Sequence, residues 1–81
     1  MQAARIGRLA MKAGDPAGAI PWFQKALDER TDDVALMATL AEAQFVTGVL
    51  SEARATVTRA QSLEPANAQI ASLDRKLRKA G

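Results

Sequence analysis

One fixed shift, the distance from Gly14 to Gly48, lays this sequence on itself: it also carries Ala19 to Ala53 and Ala26 to Ala60. The same step takes Ile6 to Leu40, Gly7 to Ala41 and the bulky Phe23 to Val57. Small residues land on small ones and large on large, so what recurs is a packing pattern and not a composition. A unit of about 34 residues holds two helices and a turn. Such a unit cannot bury its apolar face alone, so successive units must stack.

The totals narrow what the stack can do. Eighty-one residues make one small domain at most, which buries roughly 60–65 % of its unfolded surface. Hydrophobic content is 48 %, but much of it is alanine, which suits close helix approach better than it fills a core. Cysteine, histidine and tyrosine are all absent. Disulfides, thiol catalysis and thiolate metal sites fall away with the first. The usual general base, the commonest metal ligand and the phenol acid fall away with the others. The expectation is therefore a non-enzyme, with no catalytic, cofactor-binding or metal-binding residue. Asp28, Glu29, Asp32 and Asp33 lack the spaced oxygen ligands of a calcium loop, and Asp32 and Asp33 read better as helix caps.

Net charge is +2, unevenly spread. Arg5, Arg8 and Lys12 lie in an acid-free N-terminal stretch, and Arg75, Lys76, Arg78 and Lys79 crowd the other end. The most apolar run, Val34 to Leu50, is interrupted by Glu42 and Gln44, so no membrane span is expected. The N-terminus has no continuous apolar stretch of the kind a secretory leader needs. A soluble chain, cytoplasmic rather than secreted, is the expectation, although without cysteine the redox compartment is not readable.

Taken in order, Gln2 to Ala13 reads as a helix with an apolar stripe of Ile6, Leu9 or Ala10, and Ala13. Gly14 stops it; Asp15 caps the next helix and Pro16 enters its first turn. That second helix, to Glu29, has the stripe Ala19, Ile20, Phe23, Ala26 and Leu27. Pro21 sits beyond the first turn and predicts a bend or loose turn near Ala17 and Gly18. Thr31, Asp32 and Asp33 supply caps for a third helix, about Asp33 to Thr47. Its apolar positions are Leu36, Met37, Leu40, Ala41, Phe45 and Val46. A fourth helix, from about Ser51 to Leu63, lines its inner face with Ala53, Val57, Ala60 and Leu63. Pro65 blocks continuation. The fifth, about Ala66 to Lys79, carries the narrow stripe Ile70, Leu73 and Leu77, and its polar remainder suits the end of an array. The short links make neighbouring helices antiparallel.

These residues together resemble the tetratricopeptide repeat family. The first repeat supplies Ile6, Gly7, Gly14, Asp15, Ala19, Phe23, Ala26 and Leu27, and the second Leu40, Ala41, Gly48, Ala53, Ala60 and Pro65. The resemblance implies an all-α solenoid of antiparallel helix pairs. Repeat one spans about 1–33, repeat two about 34–66 and a capping helix about 67–80, in a single domain over 1–81. Departures are visible. Ala10 and Gln44 stand where the family carries an aromatic, with Phe45 one position on. Thr31 replaces the closing proline of repeat one, and the fifth helix fits the pattern only with a link one residue shorter.

What the resemblance implies for function is a concave groove, lined chiefly by the first helix of each repeat, that holds an extended peptide or a partner helix. By position its residues are Arg5, Arg8, Lys12, Ala38, Thr39, Glu42, Phe45 and Val46, with Ser72, Lys76 and Lys79 from the fifth helix. The stripe Arg5, Arg8, Lys12 suits a protein or peptide ligand with acidic groups. The C-terminal cluster lacks a stacking platform for bases, which disfavours nucleic acid. A non-catalytic scaffold or adaptor is the leading reading. An accessory substrate-positioning domain of a larger enzyme, or a self-associating module, are the alternatives.

Overall fold

The structure, a computed structural model, describes residues 3–80. Five helices follow one another: α1 (Ala3–Lys12), α2 (Pro16–Glu29), α3 (Val34–Val46), α4 (Leu50–Leu63) and α5 (Ala68–Ala80). No strand occurs among the described residues. The helix start expected at Gln2 lies outside them. The links span residues 13–15, 30–33, 47–49 and 64–67, short enough to turn each helix back along its predecessor.

The turns repeat with the sequence. Gly14 and Gly48 both sit at φ 81°, where an L side chain is strained and glycine is not. In the first turn the Gly14 N–H donates to the Met11 carbonyl at 3.1 Å and the Asp15 N–H to the Ala10 carbonyl at 2.9 Å. In the second, Gly48 donates to Phe45 at 3.1 Å and Val49 to Gln44 at 2.9 Å. This double bond pattern satisfies the last carbonyls of each helix and fixes the exit direction of the chain.

The other links are equally regular. Asp33 Oδ1 accepts the Leu36 N–H at 3.0 Å, and one repeat step later Asn67 Oδ1 accepts the Ile70 N–H at 3.1 Å. Thr31 and Asp32 make no such cap; they form the turn before it. Helix α5 therefore begins at Ala68 and not at Ala66, and both its ends lie one full repeat step beyond those of α3. The shortened link expected after Pro65 is not there, because Asn67 caps α5 as Asp33 caps α3.

Pro21 does not loosen α2. Ala17 and Gly18 are helical and the helix runs unbroken from Pro16. The carbonyl that Pro21 leaves without a donor belongs to Ala17. Both residues are exposed, so water can satisfy it.

Helix α3 is the centre. It touches α2, α4 and α5, and Val34, Leu36, Met37, Ala38, Leu40, Ala41, Ala43 and Gln44 are all buried on it. Helix α1 has one main neighbour, α2, and this moves its buried stripe. Ala3 and Gly7 are buried, with Ala4, Ala10 and Met11 packed beside them. Ile6 and Leu9 are exposed and Ala13 lies outside the helix. Of the expected stripe of Ile6, Leu9 or Ala10, and Ala13, only Ala10 packs against the core; the buried side is rotated toward Ala3 and Gly7, since a single neighbour chooses the face. Leu63, expected inside α4, is exposed; its counterpart one repeat earlier is Glu29, also exposed.

The core relies on small residues. Ala19, Ala41, Ala43, Ala53 and Ala60 are fully buried, which lets backbones approach closely. At Gly7 the approach leaves no room for a side chain: a Cβ there would lie 2.6 Å from Phe23 Cε1 and 2.8 Å from Cδ1. In the second repeat the same positions hold Ala41 and Val57, one methyl gained where a ring is lost. Gly7→Ala therefore forces the Phe23 ring to move, at a cost of about 1–3 kcal/mol, partly offset by about 0.5–1 kcal/mol of helix propensity. Combined with Phe23→Val it should be better tolerated, with a favourable coupling of about 1 kcal/mol in a chemical-denaturation double-mutant cycle. Strict additivity would show that the notch is not needed.

A second test concerns the caps. Asp15 Oδ1 accepts the Gly18 N–H at 3.0 Å, whereas Val49, its counterpart, makes no side-chain cap. Val49→Asp should stabilise the chain by about 1 kcal/mol, read as a raised denaturation midpoint.

Candidate partner-binding face

The first helix of each repeat shows one row of positions to solvent, and the repeat step aligns these rows. Residues 8, 42 and 76 share a position, as do 12, 46 and 80; residues 5 and 39 share a third, at which α5 carries the buried Leu73. Arg5, Arg8 and Lys12 are exposed on α1; Thr39 and Glu42 are half-buried and Val46 is exposed on α3; Lys76 is exposed on α5. Phe45 is half-buried and packs against the core with part of its ring uncovered. Its counterpart on α1 is Met11, also half-buried, a pairing that the repeat step already contained. Ser72 is half-buried and Lys79 exposed. Ala38, expected on this face, is buried at 1 % exposure: α3 is enclosed on more sides than a two-helix unit would suggest.

The electrostatics follow the same register. Arg8, Glu42 and Lys76 put charges of alternating sign along the middle of the row. Among the described residues none of Arg5, Arg8, Lys12, Glu42 or Lys76 forms an ion pair; the two pairs present are Arg30 with Asp33 and Arg78 with Asp74. Other cations are committed to holding the fold. Arg59 Nη2 donates to the Thr31 carbonyl at 2.8 Å, and Arg54 Nη2 to the Leu77 carbonyl at 3.4 Å. The free cations are thus concentrated on α1 and α5. The Thr39 hydroxyl donates to the Ala35 carbonyl one turn back along α3 at 3.1 Å.

Gln44 was not anticipated as a structural residue. It is the buried polar side chain of the core, at 3 % exposure. Its Oε1 accepts from the Thr56 hydroxyl at 2.8 Å, which ties α3 to α4. A polar residue where the family carries an aromatic was the available signal, and Thr56, the repeat counterpart of Trp22, was its partner. Trp22 itself lies on α2, at 37 % exposure, with Lys25 Nζ 5.9 Å from its ring centroid.

A cleft of about 170 Å³ also opens elsewhere, between α2 and α4, over Leu27, Met37 and Leu40 and beside Ala55, Thr56 and Arg59. It holds none of the row of exposed residues described above. No helix among the described residues is long and apolar enough to cross a membrane.

A family model described as "Tetratricopeptide repeat" matches residues 10–77. The span includes Lys12, Thr39, Glu42, Phe45, Val46 and Lys76, and leaves Arg5 and Arg8 before it. Comparison with curated proteins gives no match.

The Gln44–Thr56 tie can be tested on its own. Thr56→Val leaves the Gln44 amide oxygen buried without a donor and should cost about 1–3 kcal/mol. Adding Gln44→Leu removes the stranded acceptor and should recover most of the loss. Equal stability of the single and double variants would show that the bond is dispensable.

Proposed function

Because the chain belongs to the tetratricopeptide repeat family, whose repeats generally mediate protein–protein interaction without catalysis, we propose that it is a scaffold or adaptor module. It holds an acidic peptide or partner helix against the row formed by α1, α3 and α5. The observation that carries this reading is the set of exposed cations Arg5, Arg8, Lys12 and Lys76, of which Arg8 and Lys76 share a repeat position, together with the part-covered ring of Phe45 and the exposed Val46 on α3. Cations of this kind give charge-assisted hydrogen bonds to carboxylates. The adjoining apolar surface supplies the desolvated contact that most binding energy needs.

The residues divide the work. Arg8 and Lys76 flank Glu42, so a ligand with two acidic groups separated by a basic or neutral one matches the row best. Phe45 and Val46 take an apolar side chain between the charges. A surface of two repeats and one further helix is small, which places affinity at about the micromolar level.

The test is fluorescence anisotropy with labelled acidic and basic peptides of equal length. Acidic peptides should bind more tightly at low salt, and the difference should shrink as salt screens it. Arg8→Glu with Lys76→Glu should weaken acidic-peptide binding at least tenfold, about 1.4 kcal/mol. Trp22 emission should stay unchanged, because Trp22 is on α2 and away from the row. Unaltered affinity in the double variant would sink the assignment.

A further inference from the structure

The cleft between α2 and α4 has helices of this chain on both sides, and the repeat step shows what it lacks. Its walls are Leu27 of α2, Met37 and Leu40 of α3, and Ala55, Thr56 and Arg59 of α4. One step earlier the three α4 positions are Pro21, Trp22 and Lys25. There an indole stands at the Thr56 position, with Lys25 Nζ 5.9 Å from its ring centroid. So α2 carries a ring and a cation where α4 carries a threonine and a cation. Where the first repeat has the ring, the second has a cleft of about 170 Å³.

The rest of the cleft suits a ring. Leu27, Met37 and Leu40 are apolar and buried, at 6 %, 0 % and 4 % exposure, so the floor favours an apolar group. The Thr56 hydroxyl already donates to Gln44 Oε1. Arg59 is exposed but held: its Nη2 donates to the Thr31 carbonyl at 2.8 Å. A guanidinium fixed in this way stacks on an aromatic face at small entropic cost. The volume is below the ~300 Å³ at which pockets for drug-sized molecules begin. It is close to the ~150 Å³ that accommodates a single benzene ring.

We propose that this cleft is a docking site for one aromatic side chain, tryptophan above all, presented by a partner polypeptide, with Arg59 over its ring. The site is separate from the row on α1, α3 and α5. The source is a polypeptide because an aromatic anchor binds stably only within surrounding contacts that exclude water. The exposed residues of α2 and α4 beside the cleft offer those contacts to a chain and not to a free ring. A second copy of this protein is the wrong occupant. Its Trp22 is largely covered already, at 37 % exposure, and would bring Lys25 against Arg59; like charges across an interface oppose association.

The probe is a blocked nine-residue peptide of alanine and serine with tryptophan at its centre. The same peptide with central leucine, and free indole, are the comparisons. Titrated into the methyl-labelled full chain, the tryptophan peptide should shift the Leu27, Met37 and Leu40 signals. The leucine peptide should bind about fivefold more weakly, and indole no more tightly than the tryptophan peptide. Ala55→Glu, at an exposed position on the cleft wall, should abolish the shifts while the rest of the spectrum stays folded. Arg59→Gln should weaken the tryptophan peptide about threefold and leave the leucine peptide unchanged. Arg8→Glu with Lys76→Glu should leave this site unaffected, so it and the acidic-peptide reading can fail separately. Equal binding of the two peptides, an equal loss for both in Arg59→Gln, shifts confined to Thr39 and Val46, or no shifts would overturn the proposal. So would indole binding more tightly than the peptide, which would mark a small-molecule site. A dimer in sedimentation of the chain alone that Trp22→Ala dissolves would overturn it in favour of a second copy.

Discussion

The contact of the Phe23 ring with the bare backbone of Gly7 sets the spacing on which the first helix pair depends. No Cβ fits between them, so α1 and α2 come closer than two ordinary helix faces would. The fully buried Ala41, Ala43, Ala53 and Ala60 extend the same close approach through α3 and α4. Close packing of this kind gains dispersion contacts rather than large buried area. It also makes the interior sensitive to single added methyl groups. The second repeat holds its spacing with a different pair, Ala41 and Val57. Pair volume, not residue identity, is what the repeat preserves.

The turns then decide direction. Two glycines at the same φ and two Asx caps at the same offset send successive helices out along matching paths. With exit directions fixed, the third first-type helix, α5, lands on α3 and α4 without adjustment. The tie from Gln44 to Thr56 and the reach of Arg59 to the Thr31 carbonyl bind α4 to what precedes it. These contacts remove two polar side chains and a cation from the pool available to a partner. Apart from Lys25 on α2, over the Trp22 ring, the remaining free cations sit on the terminal helices, which accounts for the polarity of the exposed row.

The same geometry makes the two ends unlike. A stack of helix pairs needs a finish wherever it stops, since each pair leaves one apolar side for its neighbour. At α5 the outward side is polar. At α1 Ile6 and Leu9 are exposed among the described residues.

The sequence by itself determined the repeat length, the number of helices, both glycine turns and most of the buried positions of α2, α3, α4 and α5. These follow from local rules: glycine alone takes positive φ cheaply, and apolar spacing marks the face of a helix. It also placed Arg5, Arg8, Lys12 and Lys76 at solvent-facing positions. Only the tertiary structure decided which face of α1 is buried, that Ala38 is enclosed, that Leu63 is outside, and that Gln44 is a core residue. Each of these depends on how many neighbours a helix has. Periodicity reports that a helix has an apolar side, but the count and placement of the helices around it select which residues that side will include.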